Sequence, residues 1–265
     1  MPLAVITGAS SGIGASFARK LAARGFDLLL AARREDRLRA LAVEVRDVHH
    51  VDAEPFVADL TSDADRDRLA DRIRGAPDLG LLVNNAGFGT MGYFEKADVR
   101  GQEAMHRLHV LTAVSLTHAA LENLVPRGQN GTGVINVSSV AGFGMSPDNV
   151  SYCATKHWMN AFTQGLAIEL GAQNSPVTVQ ALCPGFTLSE FHDVLGMDRG
   201  RIPASLWMTP DFVVEQSLYS YDRRKVLVIP GWRYKAIVAF MKLVPTAVMR
   251  RTSVALARRY RRPRG

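Results

Sequence analysis

Cysteine is almost absent from this chain: two residues in 265, Cys153 and Cys183, neither at a metal-ligand spacing. Two are too few for a disulfide framework, so a stapled secreted module is excluded and a reducing cytoplasmic setting is the expectation. Long hydrophobic runs are missing too. No stretch of about 18 uncharged apolar residues occurs, so no membrane-spanning helix is expected. The opening residues MPLAVITGAS show no basic segment ahead of an apolar one, and no signal peptide is expected. Acidic residues vanish toward one end: from Arg223 to Gly265 there are 13 Lys and Arg and no Asp or Glu. Of the chain's 32 basic side chains this leaves 19 among the first 222 residues, against all 25 acidic ones, a net of −6. The overall charge of +7 therefore hides an acidic body with a basic tail.

What is present fits one large α/β domain: 47% hydrophobic and 22% charged residues over a length that does not demand two domains. Short apolar runs alternate with helical patterns. Strands are expected at Leu3–Thr7, Asp27–Ala32, Pro55–Leu60, Leu79–Val83, Val134–Ser138, Val177–Leu182 and Val226–Ile229. Helices are expected at Gly14–Gly25, Glu35–Val48, Asp63–Arg74, Asp98–Val125 (stopped by Pro126) and Ser151–Gly171. The alternation implies right-handed crossovers and a parallel sheet of about seven strands, covered on both faces. Phe186 to Asp211 lacks a clear period and carries Gly196, Gly200, Pro203 and Pro210, which suits a mobile lid insert.

Thr7 to Gly14, TGASSGIG, follows the first strand at once. Glycines there let backbone approach a pyrophosphate, and the next helix offers free N–H groups and the positive end of its dipole. Farther on come Asn84-Asn85-Ala86-Gly87, Tyr152-Cys153-Ala154-Thr155-Lys156 and Pro184-Gly185. In this order they match the TGxxxGxG, NNAG, YxxxK and proline-glycine elements of the short-chain dehydrogenase/reductase family, which the chain resembles from about Leu3 to Thr187. The resemblance implies a doubly wound Rossmann-type sheet over residues 1–232, with a lid insert near 186–211, followed by a basic amphipathic helical extension over 233–265.

It also implies a nicotinamide cofactor held by Gly8, Ser10, Ser11, Gly12, Ile13 and Gly14 of the turn. Asp59 and Leu60 would border the adenine, and Asn85, Ala86 and Gly87 would floor the adenosine half. Tyr152, Lys156, Pro184, Gly185 and Thr187 would hold the nicotinamide end. The second strand ends in Ala31-Ala32-Arg33-Arg34 with no acid at its tip. A carboxylate there would receive a ribose 2′-hydroxyl, whereas the Arg33 guanidinium can pair with a 2′-phosphate, so NADP(H) is expected. The alternative for Arg33 and Arg34 is the solvated start of a helix.

Tyr152 and Lys156, four residues apart on a helix, share one face, where an ammonium favours the phenolate of a nearby tyrosine. Ser139, thirteen residues before Tyr152, matches the family's substrate-polarising serine, and strand alternation turns neighbouring Ser138 to the other face. The resemblance implies that Ser139 and Tyr152 hold the substrate oxygen, Tyr152 passes the proton and Lys156 orients the ribose. One position departs from the family. Its usual mid-helix asparagine, which supports a proton relay, is His109 here; imidazole can both donate and accept, so a relay either survives with altered pH dependence or is broken.

Phe143, Gly144, Met145, Phe186, Phe191, Leu195, Met197 and Trp207 make the expected substrate surroundings apolar and the expected substrate a lipophilic carbonyl or alcohol. His49, His50, His157 and Trp158 are expected to be solvated or packed, and no metal site is expected. In the tail, Ile237, Val238, Phe240, Met241, Leu243, Val244, Val248, Met249 and Leu256 alternate with Lys235 and Lys242, before Arg258, Arg259, Arg261 and Arg262. Such a segment suits peripheral contact with an anionic membrane, packing on another subunit, or unspecific polyanion binding; no motif for specific nucleic-acid recognition is present. A homodimer or homotetramer joined through the helices at 98–125 and 151–171 is implied by the resemblance. The rival to an enzyme is a regulatory or interaction protein that kept the nucleotide-binding fold and lost turnover.

Overall fold

In the computed structural model, which describes residues 1–191, 200 and 202–260, seven strands form one parallel sheet: β1 (Leu3–Thr7), β2 (Asp27–Ala32), β3 (Ala53–Val57), β4 (Leu79–Asn84), β5 (Gly133–Val137), β6 (Thr178–Leu182) and β7 (Leu227–Val228). Their order is β3-β2-β1-β4-β5-β6-β7, a Rossmann-type doubly wound arrangement. Every residue of β1, β4, β5 and β6 is buried, which is why these strands read as continuous apolar runs rather than alternating ones.

Helices α1 (Gly12–Ala22), α2 (Glu35–His49) and α7 (Pro210–Tyr221) cover one face, where Phe17, Leu21, Leu38, Val45, Val214 and Leu218 pack on Ile6, Leu28, Leu30 and Val83. Helices α3 (Asp63–Arg74), α5 (Ala113–Arg127) and α6 (Val150–Ala172) serve the other, with Leu69, Ile73, Leu116, Leu124 and Leu170 on Val5, Leu29, Leu82 and Val134. The strand order reverses between β1 and β4, and the crevice beyond the carboxyl ends of those strands is where a doubly wound sheet takes its ligand.

Three elements differ from their sequence expectation. The third strand lies at Ala53–Val57 rather than 55–60, because it is an edge strand paired only with β2 and tolerates Pro55, which has no N–H to give. The helix expected at 98–125 is present as one unbroken helical run, but its hydrogen bonding widens in the middle. It comprises α4 (Val99–His106), a π-helical stretch at Arg107–Thr112, and α5, which runs past Pro126 and stops where Gly128 turns left-handed at φ 58°. The seventh strand shortens to two residues against β6.

The C-terminal extension is two helices, α8 (Trp232–Leu243) and α9 (Thr246–Tyr260). Tyr234 and Val238 of α8 are buried against the body. The ends of the segment expected to be a lid meet where Thr187 bridges Met208. Leu195, Gly196 and Met197 of the lid, with Arg261 and Arg262 of the tail, lie outside the described residues, as do the side chains of Leu256, Arg258 and Arg259.

Candidate active site

Strand β5 ends at Val137, and alternation sends the next two hydroxyls opposite ways. Ser138 is buried and donates to the carbonyl of Lys156 at 3.1 Å. Ser139 caps the 3-10 turn Val140–Phe143 by accepting from the Ala141 N–H, donates to the Pro184 carbonyl at 3.5 Å, and lies close enough to Tyr152 to act on its hydroxyl. Tyr152 and Lys156 lie on the first turns of α6, the ammonium 5.7 Å from the phenol ring centroid. Lys156 is buried and donates from Nζ to the Val137 carbonyl at 2.9 Å.

Burial sets the electrostatics here. It pushes the Tyr152 hydroxyl up to about 12, a rise that neighbouring Ser139 opposes, and it pulls the Lys156 ammonium down to about 8. The ammonium, bonded to the Val137 carbonyl, is not among the groups that shift the phenol here, so burial sets its direction.

His109 sits in the π-helical stretch, fully enclosed, with its ring edge-on to Tyr152 at 5.8 Å between centroids. Its Nδ1 is 3.0 Å from Thr155 Oγ, and the Thr155 hydroxyl donates to the Tyr152 carbonyl. Oγ is therefore the acceptor toward the ring, so Nδ1 carries the proton and Nε2 is a bare lone pair. Nε2 is buried without a partner among the described residues, facing Gly87, where an added Cβ would approach it to 2.8 Å. Burial, reinforced by Lys156, holds this imidazole neutral, well below the usual histidine range.

The glycine turn adjoins this centre through Asn85. Thr7 Oγ accepts from the N–H groups of Asn85 and Ala86, while Asn85 Nδ2 donates back to the carbonyls of Thr7 and Gly8. Gly8 (φ 66°) presses on Ala86, and a Cβ on Gly14 would lie 2.2 Å from the Gly8 carbonyl. Side chains have no room. The Ser11 side chain does not cap α1, so the N–H groups around Gly12 and Ile13 are left for a ligand. An anionic dinucleotide fits this cradle.

The sequence model of the short chain dehydrogenase family matches residues 2–199. The chain belongs to that family. Among solved structures it is similar to a short-chain dehydrogenase from Sphingobium yanoikuyae in complex with NADPH, at 35% identity and a TM-score of 0.83 over 92% of this chain and 96% of the other. It is also similar to a bulky-bulky ketone specific alcohol dehydrogenase from Comamonas testosteroni, at 30% identity and 0.78 over 93% and 96%. A 7beta-hydroxysteroid dehydrogenase from Collinsella aerofaciens is 28% identical over 231 residues, 87% of this chain and 86% of that one.

In this short-chain dehydrogenase the remaining expected residues are placed as follows. Asp59 accepts from the Thr61 N–H and hydroxyl, and Arg33 is exposed, its charge among those that hold the Asp59 carboxyl low. Leu60 is buried and its carbonyl accepts from Thr112. Pro184 accepts from the Val140 N–H, Gly185 lies under the Tyr234 ring, and Thr187 is buried with its hydroxyl on the Gly185 carbonyl. The Phe191 ring lies tilted 5.7 Å from that of Tyr152, and Phe186 lies tilted 5.4 Å from Trp207. His157 is partly buried with Nδ1 on the Cys153 carbonyl, and Trp158 stacks on Phe162.

Sequence reasoning passed over several participants. Arg34, not Arg33, reaches the glycine turn, donating to Ser10 and Ser11 at 2.9 Å each and to Glu190 at 2.7 Å. Arg37 pairs with the same Glu190. No local pattern couples residues 34 and 190. Beside the catalytic helix an apolar cavity of about 740 Å³ is lined by Gly144, Met145, Val150 and Cys153, together with Arg250 and Val254 of α9. Ser139 and Tyr152 are not among its walls.

Proposed function

We propose that this chain is an NADP(H)-dependent oxidoreductase that interconverts a carbonyl and an alcohol on a lipophilic substrate. The family acts on CH–OH and C=O groups; the direction, cofactor and substrate class are this reading's own. The observation that carries it is the placing of Ser139 beside Tyr152 with buried Lys156 one turn on, next to a glycine turn with no room for side chains.

A bound nicotinamide would supply or accept the hydride. Ser139 and Tyr152 offer two hydroxyls to one substrate oxygen, and a phenol held protonated donates to a carbonyl oxygen as negative charge develops there, which favours reduction. Lys156 spends one N–H on Val137 and keeps the others for a ribose hydroxyl. His109 Nε2, an enclosed acceptor, is placed to take a hydrogen bond from a donor entering beneath Gly87, so His109 acts by its lone pair rather than by its charge.

Preference for NADP(H) rests on the acid-free end of β2 and on two guanidiniums: Arg33, and Arg34 on Ser10 and Ser11. The NADPH-bound relative supports it. The lipophilic substrate rests on Phe186, Phe191 and Trp207, and on relatives that take steroids and bulky ketones. Exposed Leu111 of the π-helical stretch, Val114 of α5 and Ile168 of α6 make an apolar outer surface suited to a subunit contact.

NADPH oxidation across lipophilic ketones tests the reading. Tyr152→Phe is expected to lower kcat by about 10²–10⁴-fold while NADPH still binds. A second reading, nucleotide binding without turnover, is favoured by the unpartnered His109 Nε2 where the family uses asparagine. NADPH binding with no ketone reduced, and activity appearing in His109→Asn, would decide for it.

A further inference from the structure

Helix α8 carries two apolar faces, and only one is used. On the inner face Tyr234 and Val238 are buried; the Tyr234 hydroxyl accepts from the Phe186 N–H and donates to the Leu206 carbonyl, strapping the lid to the body. At 100° per residue, Trp232, Ala236, Phe240 and Leu243 gather on the opposite arc, with Ile237 at its edge. Trp232 is 71% exposed, Phe240 69% and Leu243 82%. Side chains this large are not ordinarily left together in water on a single helix face.

The charges around that arc have one sign. Arg233, Lys235 and Lys242 flank it, and Arg250 and Arg251 follow on α9 beside exposed Val248 and Val254. Among the described residues none of these five cations is in an ion pair, and no acid exists beyond Asp222 to offer one.

We propose that α8 and the first half of α9 rest on an anionic membrane surface, with Trp232, Phe240 and Leu243 in the headgroup boundary and the flanking cations on lipid phosphates or carboxylates. No helix of the described residues is long and apolar enough to cross, so the contact is peripheral. A second copy fits this face less well. A two-fold contact sets a patch against itself, and here that brings cation onto cation. A nucleic acid would use the cations but leave the aliphatic side chains in water. Arg250 and Val254 of the docked segment also wall the apolar cavity, which places a lipophilic compartment beside the lipid. The proposal does not depend on turnover.

Co-sedimentation of the full chain with phosphatidylcholine vesicles containing about 30% phosphatidylserine, against phosphatidylcholine alone, tests it at about 0.05 M and 0.5 M salt. Pelleting with the anionic vesicles at low salt is expected, weakened by salt. A triple variant, Trp232→Ser with Phe240→Ser and Leu243→Ser, is expected to bind about tenfold or more weakly with an unchanged melting temperature. Arg250→Gln with Arg251→Gln serves as the second variant should the triple one misfold. Absence of anionic-vesicle binding overturns the proposal. So does equal binding by wild type and a folded variant, or retention on a polyanion column that neither variant alters. Loss of self-association in the triple variant, with wild type indifferent to vesicles, would give the face to a second copy instead.

Discussion

Lys156 is an ammonium enclosed between β5 and α6, bonded to one backbone carbonyl and drawn down to about 8. Between about pH 8 and pH 10 the unfolded chain keeps a proton on this lysine that the folded chain has shed, so the contribution of Lys156 makes stability rise with pH in that window. Above pH 10 Tyr152, pushed up to about 12, acts the opposite way, because the unfolded phenol loses its proton first. Denaturant unfolding at pH 8 and pH 10 is expected to show wild type gaining about 2 kcal/mol relative to Lys156→Met. Equal pH dependence in the two proteins would mean that the ammonium is solvated. The pairing of Tyr152 with Lys156 was legible from the helix period; strand alternation set Ser138 and Ser139 on opposite faces, and the resemblance chose Ser139. The raised phenol was not legible, because burial is a property of everything packed around it.

Elements meet at the cofactor end in a way no period reveals. The lid's first residues return to the junction of β2 and α2, where Glu190 engages Arg34 and Arg37, and Arg34 reaches across to Ser10 and Ser11. On the proposed NADP(H) reading, a 2′-phosphate would compete with the Glu190 carboxylate for the same guanidinium. These groups are partly exposed and screened, so the effect is modest. Glu190→Gln is expected to tighten NADPH up to about fivefold in a fluorescence titration and to leave NADH unchanged. Equal shifts for both cofactors would detach Glu190 from phosphate selection. The π-helical stretch is a second element-scale surprise. One continuous periodic pattern covers 98–125, yet the backbone widens at Arg107–Thr112, where Thr112 bonds the Leu60 carbonyl and His109 bonds Thr155.

Across the whole molecule, charge and apolar surface are segregated: an acidic body, a basic end, and exposed aliphatic groups on α5 and α6. Ile168, 76% exposed, lies outside the core, so Ile168→Asp is expected to leave stability within about 1 kcal/mol while shifting sedimentation toward the monomer. An unchanged sedimentation coefficient would remove α6 from the subunit contact. The sequence by itself determined the alternation of strands and helices, the glycine turn, and the tyrosine–lysine pair with its serine. The glycine turn and the tyrosine–lysine pair are written in neighbours a few residues apart, where backbone period and turn sterics suffice, while the serine is marked by its motif spacing. Only the tertiary structure decided that Arg34 rather than Arg33 touches the turn, that His109 stands neutral with a bare Nε2, and that α8 buries Tyr234 while turning Trp232 outward. Those outcomes depend on side chains brought together from distant segments and on the desolvation their packing imposes, and neither is encoded at any single spacing along the chain.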